Sequence, residues 1–357
     1  MSTRRDFVLQ TAAAITVAAA ASRCAVSATE PPGPMAGRQL KKYRIAHSNL
    51  TVSRLAFGCA MLGWDWSSPD FSTKTVPIIR TAYEQGITLF DLADVYGNGS
   101  SEIALGKLLQ QSPGLRTKLV IQTKCGDRFA EGDSVDNSGQ HIITSVEGSL
   151  QRLQTDYLDI LLLHWPDSLV QPQEVADAFD RLKRAGKVRN FGVSNHSPAQ
   201  YEILKQHVHQ PLIANQIQLG LMHWSVPTQM PKASLTHADE GVATLDYCRA
   251  HDIWVQAYSP LKSDNINNPP NLLNPPSSAP PAVSDAVQLL ADLAKKYDAT
   301  PAAIMLAWLL CHPAGITPII GATKAEHIIE ACAADRIDLT RVEWYSLLDA
   351  ATKIQTL

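Results

Sequence analysis

Seven apolar runs, each ending in a residue suited to chemistry or ligand binding and each followed by an amphipathic stretch, set the strongest limit on how this chain folds. They cover residues 87–91, 118–124, 158–164, 188–195, 212–216, 253–258 and 316–321, and close on Asp91, Lys124, His164, Asn195, Gln216, Tyr258 and Gly321. The runs are continuous rather than alternating, as in parallel strands covered on both faces. Repeated strand–helix units with short links leave two folds, a doubly wound open sheet or a closed barrel. No Gly-x-Gly-x-x-Gly follows the first candidate strand, 54–58, which weakens the open dinucleotide-binding fold. Functional groups at nearly every strand end favour closure, because a barrel gathers those ends around one mouth. The predicted fold is α/β, a (β/α)8 TIM barrel. Its helices fall at 76–85, 101–110, 142–153, 172–185, 197–207, 241–250, 284–297 and 324–334, with extra C-terminal helices at 302–310 and 342–352.

The 357 residues suffice for one such barrel. A net charge of −3 gives no reason to expect nucleic acid or an anionic membrane as a partner. The N-terminus differs in composition. Arg4-Arg5 with Phe7, an Ala-rich stretch over 11–21 and Val26-Ser27-Ala28 resemble a twin-arginine export signal. The duller reading is a disordered or helical tail. The signal reading predicts cleavage after Ala28, a linker at 29–42 and a barrel domain at 43–357. It makes the twin-arginine machinery a partner and places the protein in the periplasm or otherwise outside the cytoplasm; an unused signal would leave it cytoplasmic. With Cys24 in the signal, Cys59, Cys125, Cys248, Cys311 and Cys332 remain, without zinc-type spacing, and read as buried free thiols; no metal site is expected.

Four residues carry the chemistry. Asp91, Lys124 and His164 end successive strands, and Tyr96 lies five residues beyond Asp91. A carboxylate beside a Lys keeps the ammonium charged, and that ammonium beside a phenol lowers the phenol pKa from about 10. Such a phenol is a proton donor for a developing alkoxide, and a neighbouring imidazole orients the oxygen. Singly, these residues read as a cap, a snorkelling Lys, a packed Tyr and a core His. Together, on neighbouring strand ends, they read as a catalytic set.

Asp-x-Ala-Asp-x-Tyr-Gly at 91–97, Thr-Lys-Cys-Gly at 123–126, Leu-Leu-Leu-His-Trp-Pro-Asp at 161–167 and Gly-Lys-Val-Arg-Asn-Phe-Gly-Val-Ser-Asn at 186–195 resemble the signatures of the aldo-keto reductases. The resemblance spans about 43–354 and is nearest to a bacterial branch of oxidoreductases. It implies hydride transfer from a nicotinamide nucleotide to the carbonyl of a small-molecule aldehyde or ketone. In it, Tyr96 is the general acid, Lys124 and Asp91 tune it, and His164 orients the carbonyl. It also implies that Ser194, Asn195 and Gln216 hold the carboxamide, that Tyr258 stacks on the nicotinamide, and that Ser259, Pro260 and Leu261 surround the pyrophosphate. Gly321, Thr323 and Lys324 would open a phosphate-binding loop and helix. His327 stands where the family commonly has Arg, Ala331 replaces an adenine-contacting Asn, and Leu92 replaces a Thr. NADP is the expected cofactor, with NAD the alternative.

Two other classes compete. A Schiff-base aldolase would use Lys124 as a neutral nucleophile, against the charge on Asp91. A nucleotide-binding regulatory or redox-sensing barrel would keep the pocket without turnover. Trp64, Trp66, Trp165, Met222 and Trp224 are candidates for a substrate wall and read equally as ordinary packing residues, and loops 219–240 and 262–283 are candidates for lids or pocket walls.

Overall fold

The computed structural model describes residues 39–65, 71–128, 132, 134–224, 242–262, 271–275 and 277–355. The export signal, Trp66 and much of both long loops lie outside the described residues, as does the side chain of Trp64. A short antiparallel hairpin, β1 (Lys42–Arg44) and β2 (Thr51–Ser53), precedes β3 (Ala56–Gly58). Then follow α1 (Phe71–Glu84), β4 (Leu89–Asp91), α2 (Ser100–Gln111), β5 (Val120–Cys125), a two-strand ribbon of β6 (Asp127–Arg128) and β7 (Ser134–Val135), α3 (Gly139–Leu153), β8 (Leu158–Leu163) and α4 (Pro172–Arg184). The chain continues through β9 (Val188–Ser194), α5 (Pro198–Lys205), β10 (Leu212–Gln218), α6 (Val242–Ala250), β11 (Trp254–Tyr258), α7 (Pro281–Lys296) and α8 (Pro301–Leu310). It ends with β12 (Thr317–Ile320), α9 (Ala325–Cys332) and α10 (Arg341–Gln355).

Strands β3, β4, β5, β8, β9, β10, β11 and β12 form a closed parallel barrel. Closure falls between β12 and β3, where Ile319 pairs with Ala56 and Ile320 with Phe57. This is the (β/α)8 fold read from the strand ends, with α8 and α10 as the additional helices. Local chemistry sets several helix starts. Ser138 and Thr300 cap α3 and α8 by accepting from His141 N–H and Ala303 N–H, and Ser197 with Gln200 forms a reciprocal capping box on α5. In α4 the buried face is Val175, Ala176, Phe179 and Leu182, a helical spacing. Phe179 stacks on Phe191 of β9 with ring centroids 4.2 Å apart. Side chains buried to this degree contribute about 1.5–3 kcal/mol each.

Most boundaries fall within three residues of expectation, α3 and α7 for example starting at Gly139 and Pro281 instead of 142 and 284, and two differences have a visible cause. Helix α1 begins at Phe71 instead of 76 and carries Pro77 inside it, because buried Phe71 and Val76 anchor an earlier turn. The run at 118–124 starts later, since Arg116–Lys118 forms a 3-10 turn held by Arg116 bonds to the carbonyls of Leu119 and Tyr157.

The strands alternate about the barrel wall. Phe57, Phe90, Ile121, Leu161 and Phe191 face outward into the layer beneath the helices. Ala56, Leu89, Ile160, Leu162, Ala214 and Trp254 face inward and pack with Ile45 and Val52 of the hairpin region, which closes the amino-terminal end. Among the described residues no helix is long and apolar enough to cross a membrane.

Candidate active site

Two residues farther along each strand, the inward positions change from apolar to polar. Leu89 is followed by Asp91, Val120 by Gln122 and Lys124, Leu162 by His164, Ala214 by Gln216, and Trp254 by Gln256 and Tyr258. The period of two therefore lifts every polar group to the carboxyl end of the barrel.

Lys124 is fully buried and its ammonium makes three hydrogen bonds. It donates to Asp91 Oδ2 at 2.8 Å, to the carbonyl of Leu92 at 2.9 Å and to Tyr96 Oη at 3.0 Å. Burial alone would lower the Lys124 pKa; Asp91 and Tyr96 outweigh it, and the net shift is upward. Lys124 is thus charged and without a free N–H, which removes the Schiff-base reading. Because Tyr96 Oη accepts from Lys124, its own proton is free to point elsewhere. Burial raises the phenol pKa, and Lys124 lowers it by less, so the net shift is upward and not the lowering expected from the sequence. The phenol therefore holds its proton at neutral pH, as a general acid must. His164 meets the Tyr96 ring edge-on, with centroids 5.7 Å apart. Its pKa falls well below the ordinary 6.5, first through burial and then through Lys124, so the imidazole is neutral. Its Nδ1 is buried without a hydrogen-bond partner, 3.7 Å from Asp127.

Beside these groups lies a cavity of about 760 Å³, within the range of small-molecule and cofactor sites. Asp91, Tyr96, His164, Ser194, Asn195, Gln216, Tyr258, Ser259, Pro260, Leu261, Gly321 and His327 line it. Tyr258 Oη donates to Asn195 Oδ1 at 3.0 Å, while Asn195 Nδ2 donates to the His164 carbonyl at 3.1 Å. Ser194 Oγ donates to the Gln216 carbonyl at 2.9 Å, so it ties two strands together as well as lining the wall. Asn195 and Ser259 hold φ of 61° and 50°, a left-handed backbone rare outside glycine and common at functional sites. Thr323 and Lys324 are exposed next to the cavity and are not part of its wall.

The wall also contains residues not foreseen. Gly58 ends β3, where a Cβ would lie 2.7 Å from Ile319 Cγ2. Lys262, Thr300, Pro301, Ala302 and Glu330 join the end near His327 and Ala331. Gly58 was visible as the end of the first candidate strand. Lys262 opens the 262–283 loop expected to border the site, and Thr300–Ala302 and Glu330 depend on how α8 and α9 pack. Of the aromatic candidates, Trp165 lines the cavity and stacks near His164, with ring centroids 6.0 Å apart. Trp224 instead packs on Trp308, centroids 4.6 Å apart, and Met222 is buried in the core. Cys125, beside Lys124, is buried with its thiol pKa pushed well up, which makes it inert.

Asp94 is half-buried, its Oδ1 enclosed without a hydrogen-bond partner, and desolvation followed by Glu102 raises its pKa from 3.8 to about 7. The folded state therefore binds a proton between those values that the unfolded chain releases. Its contribution to stability is present below pH 4 and is lost as the pH rises to 7. Asp94→Asn should match the parent near pH 4 in urea unfolding and gain roughly 2–4 kcal/mol above pH 7. A constant difference across that range would reject the assignment.

A barrel whose cavity is lined by a phenol and a neutral imidazole, with a buried ammonium bonded to the phenol, is built to protonate an oxygen. The Aldo/keto reductase family model matches residues 54–351, and the chain belongs to that family of oxidoreductases. It is 35% identical over 309 residues to the uncharacterized oxidoreductase YcsN of Bacillus subtilis, covering 85% of this chain and 95% of that protein. It is 32% identical over 316 residues to a 6-dehydroglucose reductase of Agrobacterium fabrum, covering 86% and 97%. The glycerol dehydrogenase AKR11B4 of Gluconobacter oxydans superposes with a TM-score of 0.71 at 27% identity, covering 88% of this chain and 95% of that one.

Proposed function

We propose that this chain reduces the carbonyl of a small aldehyde or ketone, with NADP(H) as the favoured nucleotide and NAD(H) as the alternative. The observation that carries the proposal is the Asp91–Lys124–Tyr96 chain of hydrogen bonds ending at the cavity. The cavity suits a dinucleotide because one wall includes Tyr96 and His164 at the strand ends and also His327 and Ala331 of α9. Gln216, Asn195 and Tyr258 would hold the nicotinamide end, Ser259–Leu261 the pyrophosphate, and Gly321, His327 and the adjoining Thr323 and Lys324 the adenosine phosphates. When bound, the reduced nicotinamide supplies the hydride. Tyr96 Oη gives its proton to the carbonyl oxygen, and the Lys124 ammonium stabilises the phenolate left behind. Neutral His164 orients that oxygen without competing for the proton. The Agrobacterium relative makes sugar-derived aldehydes the first members of the substrate panel.

Titrating NADPH and NADH into the protein while following tryptophan fluorescence tests this reading. Saturable binding, then oxidation of the nucleotide by a carbonyl, is the expected result. Binding without turnover would favour the regulatory reading, and no binding by folded protein would remove hydride transfer altogether.

The barrel domain at 43–357 is proposed to be exported after folding, through a twin-arginine signal at 1–28 and a linker at 29–42. Arg4-Arg5, Phe7 and the weakly apolar 11–21 stretch support this. Cell fractionation of Arg4→Lys/Arg5→Lys should show the protein retained in the cytoplasm. An unchanged distribution would withdraw the export proposal.

A further inference from the structure

Three buried glutamines occupy a layer of the barrel interior that is ordinarily filled by branched apolar side chains. Gln122 of β5, Gln216 of β10 and Gln256 of β11 are 0%, 2% and 0% exposed. Buried amides of this kind persist only when their hydrogen bonds are met. Here they meet one another and Asp91. Gln122 Nε2 donates to Asp91 Oδ1 at 2.6 Å and to Gln256 Oε1 at 2.7 Å. Gln216 Nε2 donates to the same two oxygens, both at 2.9 Å. Gln256 Nε2 returns a bond to Gln122 Oε1 at 2.8 Å.

This pattern has a direction. A carboxylate only accepts, so both amides facing Asp91 must turn their N–H groups toward it. The bond from Gln256 to Gln122 in turn aims Gln256 Oε1 at Gln216. Both Gln216 hydrogens are thereby consumed inside the barrel. Its carbonyl Oε1 is the polar atom left for the cavity that Gln216 lines. An amide free to rotate would offer either end to a ligand; this one offers an acceptor.

We infer that Gln122 and Gln256 are positioning residues that lock the Gln216 amide with its carbonyl toward the cavity, so that the site selects a ligand amide donating an N–H. The inference rests on the nucleotide reading, in which that donor is the carboxamide NH2 of the nicotinamide. The same network joins the nicotinamide end to Asp91, and through Asp91 to Lys124 and Tyr96.

The test compares the dissociation constants of NADP and of its 3-acetylpyridine analogue, in which a methyl group replaces the carboxamide NH2. Loss of one buried hydrogen bond corresponds to roughly tenfold in affinity, so the parent protein should bind NADP about tenfold more tightly. Gln256→Met removes one of the two acceptors that hold the Gln216 amide, and Gln122→Met removes the bond that orients Gln256; with Asp91 left as the one firm anchor, that ratio should shrink to about threefold or less. A purely structural role would weaken both nucleotides alike and leave the ratio unchanged, which would overturn the inference. Equal affinities in the parent would overturn it too, whether or not the variants fold. Failure of the parent to bind either nucleotide would instead strike the functional reading on which the inference rests.

Discussion

Replacing Tyr96 with phenylalanine is expected to lower kcat by about 10²–10⁴-fold while nucleotide binding persists. The substitution removes one oxygen and keeps the ring, so the edge-on packing against His164 is retained. Lys124 loses one acceptor of three but keeps Asp91 and the Leu92 carbonyl, and its charge remains compensated. What disappears is the proton that the geometry leaves free to meet a carbonyl oxygen. Parallel measurement of kcat with a reducible carbonyl and of nucleotide affinity separates chemistry from binding. A variant within tenfold of the parent would reject Tyr96 as the donor. Neutral His164 would then need to orient water or another donor in its place.

Lys124→Met should unfold the protein more readily as well as disable it. The Asp91 side chain is 4% exposed and its ion pair with Lys124 is 2.8 Å long. Taking away the ammonium leaves a buried carboxylate supported, among the described residues, by the Gln122 and Gln216 amides, a situation that typically costs about 3–5 kcal/mol. Urea unfolding should show the loss as a lower midpoint at constant slope. The double substitution Lys124→Met/Asp91→Asn removes the stranded charge and should recover much of the stability, yet none of the turnover. If the double variant is no more stable than the single one, packing around Lys124, and not its charge, governs the effect.

The two experiments probe residues that were legible before any tertiary structure. Asp91, Tyr96, Lys124 and His164 stood out because each closes or follows an apolar run, and the barrel brings all four together. The cofactor candidates from Ser194 to Leu261, with Gly321 and His327, likewise share one cavity wall. The Tyr96 pKa rises where the sequence leads one to expect a fall, because the sequence shows that a Lys is near but not how much water the fold excludes. Trp224 takes the packing role, the other one its sequence context allows, for a related reason. An aromatic in a loop after a strand is equally suited to a pocket or to a stack, and its partners Trp308 and Trp344 lie far along the chain.

Local patterning decided where strands end, where helices are capped and which polar groups reach the mouth. These depend on side-chain period and backbone bonding over a few residues. Tertiary structure alone decided which groups share protons and hydrogen bonds across the barrel. Gln122 and Gln256 read as ordinary polar residues within apolar runs until closure sets them 134 positions apart in sequence but 2.7 Å apart in space. Asp94 gains its raised pKa only when α2 brings Glu102 beside it and water is expelled. Desolvation and long-range contact arise from the folded volume, and no window of neighbouring residues contains them.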